Sequence, residues 1–186
     1  MKRIWLLLCA VLLITGCGGK GKELDRAMEL RSRLLDASEC SFRAEITADY
    51  GDKVHTFAME NATDGNGNIR FTVSAPESIA GIAGTIGNSG GELTFEDTAL
   101  AFPLLADGQL APVSAPWLLM KTLRSGYLTS AGMEGELLRI TIDDRYEEDA
   151  LTADIWIDSE NCPVRGDFLW QGRSILTILV EDFRIG

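Results

Sequence analysis

The side chains able to do chemistry are few and far apart. Cysteines stand at positions 9, 17, 40 and 162, the single histidine is His55, and carboxylates crowd the run Asp143, Asp144, Glu147, Glu148 and Asp149. Ser-His-Asp and Cys-His catalysis would both have to pass through His55, whose neighbours Thr56 and Phe57 offer it no evident partner. On an alternating segment such a histidine reads as structural or exposed, so no catalytic residue is assigned and the chain is not expected to be an enzyme. One histidine also rules out a His-rich zinc site, and Cys40, Cys162 and His55 are too scattered to suggest one. The acidic run lacks the glycine and spacing of an EF-hand loop and reads as a solvated hairpin loop, so neither metal nor cofactor is expected.

The stretch PESIAGIAGTIGNSGG, from Pro76 to Gly91, raises a different chemistry. A phosphate cradle needs G-x-x-x-x-G-K-[ST], or G-x-G-x-x-G opening a helix, whereas this stretch carries G-x-x-G-x-x-G and no lysine, which argues against nucleotide binding. Its isoleucines, Ile79, Ile82 and Ile86, share one side of a short helical turn, and the glycines keep the backbone compliant, so the segment is expected to be a pliable apolar lid. Trp117, Leu118 and Met120 fall on a later helix, where tryptophan and methionine suit an adaptable wall for a lipid-sized cavity. The same six residues also fit plain packing of a core against a sheet, and both readings stay open.

One cysteine is more eloquent. MKRIWLLLCAVLLITGC joins a basic start to an apolar run from Ile4 to Ile14, too short for a spanning helix and laid out as a secretory signal. The run closes on Ile14-Thr15-Gly16-Cys17, which is similar to a bacterial lipobox. Residues 1–16 are expected to be removed and Cys17 to take a diacylglyceryl group with palmitate-type chains. Residues 17–22 would then form a lipidated flexible tether, and 23–186 one domain of roughly 165 residues. Such a chain is held at the extracytoplasmic face of a cell membrane by its lipid and not by a spanning segment.

Losing Lys2 and Arg3 with the leader moves the formal charge from -11 to -13. So acidic a body repels nucleic acid and anionic headgroups, and no basic stripe with interleaved aromatics offsets this. Cys9 leaves with the leader, so Cys40 and Cys162 remain. In an exported protein they can bridge, or stay as two buried free thiols.

The elements that must position these residues follow from periodicity. Glu23 to Ser38 sets Leu24, Ala27, Met28, Leu34 and Leu35 near one helical stripe, with acids early and arginines late, as the helix dipole prefers. Phe42, Ala44, Ile46, Ala48 and Tyr50 alternate with polar residues, Gly51-Asp52 makes a turn, and strands follow at 54–60 and near Ile69 to Val73. After the lid come a hairpin at 92–96 and 98–102, and a helix begun by Ser114-Ala115-Pro116-Trp117. Strands near 137–142, 151–158, 164–170 and 174–183 close the chain. The order excludes alternating βαβ units and predicts an α+β fold: one strongly curved antiparallel sheet, an incomplete barrel, with two or three helices on its concave face.

Taken together, FRAEITADYGDKVHTFAMEN, IRFTVSAPESIAGIAGTI, ELTFEDTALAF, SAPWLLMKTLRSG, ADIWIDSENCPVRGDFLWQG and ILTILVEDFRI resemble clostridial-type lipoproteins of the outer-membrane lipoprotein carrier superfamily. The resemblance covers nearly the whole mature chain as a pattern of apolar and turn positions. It implies a half-barrel whose mouth is plugged by helices around an apolar cavity. It also implies a lipid or acylated peptide as ligand or, as in a branch needed for spore germination, a protein partner in the cell envelope. Unlike the soluble carriers, this chain is itself lipidated, which argues against diffusive shuttling.

Overall fold

The computed structural model describes residues 20–95, 98–102, 105–106, 109–145 and 151–186. The leader, Cys17 and residues 146–150 of the acidic loop lie outside the described residues.

Helix α1 (Lys20–Asp36) opens the described chain. It begins three residues earlier than the apolar periodicity predicts, inside the segment expected to be a flexible tether. Strands β1 (Cys40–Asp49), β2 (Val54–Thr63), β3 (Ile69–Ala75), β4 (Ala83–Gly87), β5 (Gly90–Phe95) and β6 (Thr98–Phe102) form a first antiparallel meander. A two-residue ladder of β7 (Leu105–Ala106) and β8 (Gln109–Leu110) and helix α2 (Ala115–Ser125) lead to a second meander. This comprises β9 (Tyr127–Glu134), β10 (Leu137–Asp143), β11 (Thr152–Ile157), β12 (Pro163–Trp170) and β13 (Arg173–Ile185). Pairing of β1 with β13 joins the meanders into one open 11-stranded sheet, ordered β6-β5-β4-β3-β2-β1-β13-β12-β11-β10-β9. The α+β expectation of a large curved antiparallel sheet holds; among the described residues it carries two α-helices and single 3-10 turns at Glu77–Ile79 and Pro112–Ser114.

Alternation decides which face is covered. In β1, Cys40, Phe42, Ala44, Ile46 and Ala48 are buried, and the residues Val180, Ile178 and Leu176 that face this strand from β13 are buried with them. Leu138, Ile140 and Ile142 of β10 and Ile155 and Ile157 of β11 continue the same face. Helix α2 seats there through Leu119, which is fully buried. A Cβ on Gly166 of β12 would stand 3.0 Å from Ile178 Cγ2 and 3.4 Å from Leu119 Cδ1. Glycine at this position is what lets α2 approach the middle of the sheet so closely.

The helices hold each other by their ends. Arg31 of α1 donates from Nε to Leu123 O (2.7 Å) and from Nη2 to Gly126 O (2.8 Å), at the C-terminal end of α2. Arg124 of α2 returns the contact, donating from Nε to Leu34 O of α1 at 3.0 Å. Carbonyls at helix ends lack intrahelical donors and sit at the negative pole of the dipole, so each guanidinium answers both needs.

Two expectations change. The stretch from Ile79 to Gly91 is no helical lid. It enters through the 3-10 turn and then forms β4 and the start of its hairpin with β5, so the meander is not interrupted. Gly84 packs its bare backbone against the Phe71 ring, a role that the threefold Ile spacing conceals. Strand β9 has no counterpart among the expected strands, because YLTSAGME turns only Leu128, Ala131 and Gly132 partly inward. Of the two states left open for Cys40 and Cys162, the structure has free thiols. Cys40 is buried at the start of β1 with its N–H bonded to Thr63 Oγ1 at 2.7 Å, whereas Cys162 sits in the β11–β12 turn, its N–H held by Asp158 Oδ1 at 2.9 Å.

Candidate functional site

A cleft of about 460 Å³ opens between the start of α2 and the ends of several strands. Trp117, Leu118 and Lys121 form its helical wall, Trp170 and Ile175 come from the ends of β12 and β13, and Leu110 and Leu151 complete the apolar lining. The volume lies within the range of about 300–1,000 Å³ usual for small-molecule pockets.

Its tyrosine hydroxyl, its carboxylates and the Arg173 guanidinium are already engaged. Tyr50 donates its hydroxyl to Leu110 O at 2.8 Å, tying the segment before α2 to the end of β1, and burial pushes the phenol up from its ordinary value. Arg173 reaches from the β12–β13 turn to Asp49 Oδ1 at 2.9 Å, and its guanidinium passes 3.3 Å from where a Cβ of Gly51 would stand. Gly51 has φ 93, a left-handed conformation that glycine adopts without strain, so the β1–β2 turn both bends and leaves room for that arginine. Asp144 accepts the Leu151 N–H at 2.8 Å and faces Arg145 at 3.6 Å. Lys121 is exposed and holds its ammonium 4.9 Å over the Trp117 ring, a cation–π contact that leaves it facing solvent at the rim.

Among the described residues neither histidine nor cysteine lines the cleft, and both carboxylates there, Asp49 and Asp144, are taken by arginine and backbone N–H donors. Such a site can hold an apolar group with a polar end; the described lining offers no free acid–base pair. His55 lies on β2 with its ring 6.3 Å from Tyr50, exposed. Among the described residues no three His, Cys, Asp or Glu side chains converge as a metal site would need. No described helix is long and apolar enough to cross a membrane.

Of the residues singled out by sequence, Trp117 and Leu118 line the cleft. Met120 turns away into the core, and Ile86 is fully buried in β4. Ile79 and Ile82 pack partly buried against that core. The glycine-rich stretch still reaches the cleft, through Asn88 in the β4–β5 turn and not through its isoleucines. Tyr50, Lys121, Trp170 and Arg173 escape sequence reasoning as cleft residues, since each is an ordinary residue at a strand end or helix face until the sheet curls. Two other concavities occur among the described residues: an open basin of about 670 Å³ among Asn68, Thr85, Glu92 and Phe102, and a niche of about 210 Å³ near Arg43 and Glu181. Neither has comparable apolar walls.

No protein-family model matches the chain, and no curated protein matches it. Solved structures do. An uncharacterised conserved protein from Thermus thermophilus is similar at TM-score 0.49 and 14% identity, over 86% of this chain and 87% of that one. A putative outer membrane lipoprotein-sorting protein domain from Vibrio parahaemolyticus is similar at TM-score 0.48 and 11% identity, over 90% and 93%. LprF from Mycobacterium bovis is similar at TM-score 0.46 and 8% identity, over 89% and 95%.

Proposed function

We propose that this chain is a non-enzymatic lipoprotein of the extracytoplasmic membrane face. Anchored through Cys17, it takes an acyl chain of a lipid or acylated peptide into the cleft beside α2. The observation that carries this reading is the grouping of Trp117, Leu118, Leu151, Trp170 and Ile175 around one cleft whose two carboxylates, Asp49 and Asp144, are already bonded. An apolar chain entering it displaces water from aromatic and aliphatic walls, each buried methylene contributing about 0.8 kcal/mol, and strips no charged group of a partner.

The test is extraction of protein purified from membranes in mild detergent, with native mass spectrometry beside it. Acyl material beyond that covalently attached at Cys17 is expected, and Trp170→Ser, at the half-exposed mouth, should lose it while keeping wild-type circular dichroism. A cleft that is empty in repeated preparations, and that takes up no added fatty acid, overturns the reading.

A second reading, a protein-interaction module of the cell envelope, has its own observation. Strand β6 ends the sheet with the uncharged sequence TALAF, and Leu100 is 63% exposed beside an exposed Phe95. Edges this bare invite pairing with another chain. Crosslinked envelopes should then yield one stoichiometric protein partner that Leu100→Lys releases, with no bound lipid.

A further inference from the structure

Helix α1 carries more apolar surface than the fold covers. Ala27, Leu30 and Leu34 are buried, but Leu24, Met28 and Leu35 are 45%, 47% and 61% exposed. At the helical repeat these three fall within about 40° of one another, a stripe rising about 16 Å along the axis. Asp25, Glu29 and Asp36 lie about 80–120° around the helix from the centre of the stripe, leaving it free of carboxylates. Arg31 shares its sector, but the guanidinium is committed to the carbonyls at the end of α2. Isolated surface leucines need no explanation; three apolar side chains on one helical line, in so acidic a chain, do.

The chain just outside the described residues says what meets this stripe. Helix α1 begins at Lys20, three peptide steps from Cys17 with only Gly18 and Gly19 between. Even fully extended, these steps reach about 10 Å. If Cys17 carries the membrane anchor, as proposed above, the first turn of α1 stands at the headgroups and cannot be lifted clear of them.

We propose that α1 lies in the plane of the bilayer surface with Leu24, Met28 and Leu35 turned into the headgroup–acyl boundary. The acyl anchor and the apolar stripe then act as two membrane signals on one short segment. In-plane helices of this kind bury their apolar side about 5–10 Å into the interface. Because Arg31 and Arg124 clamp α1 to α2, the docked helix also fixes how the cleft beside α2 faces the membrane. A flexible tether would leave that orientation free.

Two methionines of matched exposure provide the test: Met28 at 47% on the stripe, and Met133 at 49% on β9. The full lipidated chain is reconstituted in phosphatidylethanolamine–phosphatidylglycerol vesicles, exposed to a brief hydroxyl-radical pulse, and both residues are read by mass spectrometry. Met28 should oxidise several-fold more slowly than Met133 in vesicles, and at a similar rate after the vesicles are dissolved in mild detergent and exchanged into lipid-free buffer with amphipol. The double variant Leu24→Ser, Leu35→Ser, kept folded by the unaltered buried stripe, should bring Met28 in vesicles up toward the rate of Met133. If Met28 and Met133 oxidise alike in vesicles while the acyl mass on Cys17 is present, the docking is wrong and the anchor stands. If no acyl mass is found on Cys17, the anchor fails and the docking with it.

Discussion

Cys40 and Cys162 show how far placement governs a side chain's behaviour. Burial pushes both thiols above their ordinary pKa; near Cys40 the guanidinium of Arg124 pulls the other way, and near Cys162 the carboxylate of Asp158 adds to the rise. Both therefore stay protonated and slow to react at neutral pH. In unreduced native protein a thiol reagent should label Cys162 slowly, faster as pH rises through the alkaline range, and reach Cys40 only on unfolding. Zero thiols after unfolding without reductant would show a bridge instead. Asp64 carries a pH dependence of opposite sign. Its Oδ2 accepts from Asn68 Nδ2 at 3.0 Å and its Oδ1 accepts the N–H groups of Asn66 and Asn68, and this bonding, led by the Asn68 side chain, lowers its pKa. Since the folded pKa is below the unfolded one, its contribution to the β2–β3 turn is complete above the ordinary carboxylate range and is lost as pH falls through the folded value. The melting temperature of Asp64→Ala should thus trail wild type at neutral pH, and the gap should narrow as pH falls below the ordinary carboxylate range. A deficit independent of pH would mean that the carboxylate's charge plays no part.

Elements were legible where one period dominated. Strand β1, with every second residue buried, and the turns at Gly51 and Asp64 could be read directly, because a one-residue slip would expose the whole apolar set. Helix α1 was legible as a helix, yet its apolar sector is wider than the surface it covers, so sequence alone could not separate Leu30 and Leu34 from Leu24 and Leu35. The stretch from Ile79 to Gly91 misled because its closely spaced glycines and isoleucines mimic a helical face, while of the three isoleucines only Ile86 lies in β4, where it is fully buried. Trp117 and Leu118 were visible on an aromatic-bearing helix; the rest of the cleft came from strand ends far apart in sequence. The exchange between Arg31 and Arg124 had no sequence signal, since nothing local to either arginine indicates the other helix's carbonyls. It makes a prediction at this scale. Each bond joins a charged donor to a helix-end carbonyl, worth about 1.5–3 kcal/mol when partly buried. Arg31→Met and Arg124→Met should each lower the denaturation midpoint. A double-mutant cycle should show coupling of at least about 0.5 kcal/mol if the two contacts act as one clasp; strict additivity would mean that each merely caps the opposite helix on its own.

For the whole molecule, an open sheet covered by two helices leaves an apolar cleft where a closed barrel would have core. The walls of that cleft are held by strand ends, by the hydrogen bond from Tyr50 to Leu110 and by α2, and a bound chain touches all of them at once. A ligand that binds the folded state alone adds stability as RT ln(1 + [L]/Kd), about 2.7 kcal/mol at a hundredfold excess over Kd. For a domain of this size that corresponds to a rise in melting temperature of about 5–10 °C. Protein stripped of bound lipid and titrated with a long-chain fatty acid should show this rise together with a change in emission from Trp117 and Trp170. The Ile86→Val variant offers the control: it removes one methylene from the core outside the cleft, so it should lower the starting melting temperature yet preserve the ligand-induced increment. Trp170→Ser should do the reverse, with a nearly unchanged starting point and a diminished increment. If the increment is absent in wild type, or unchanged in Trp170→Ser, the cleft is packing imperfection in an open sheet, and the bare β6 edge becomes the surface through which the molecule acts.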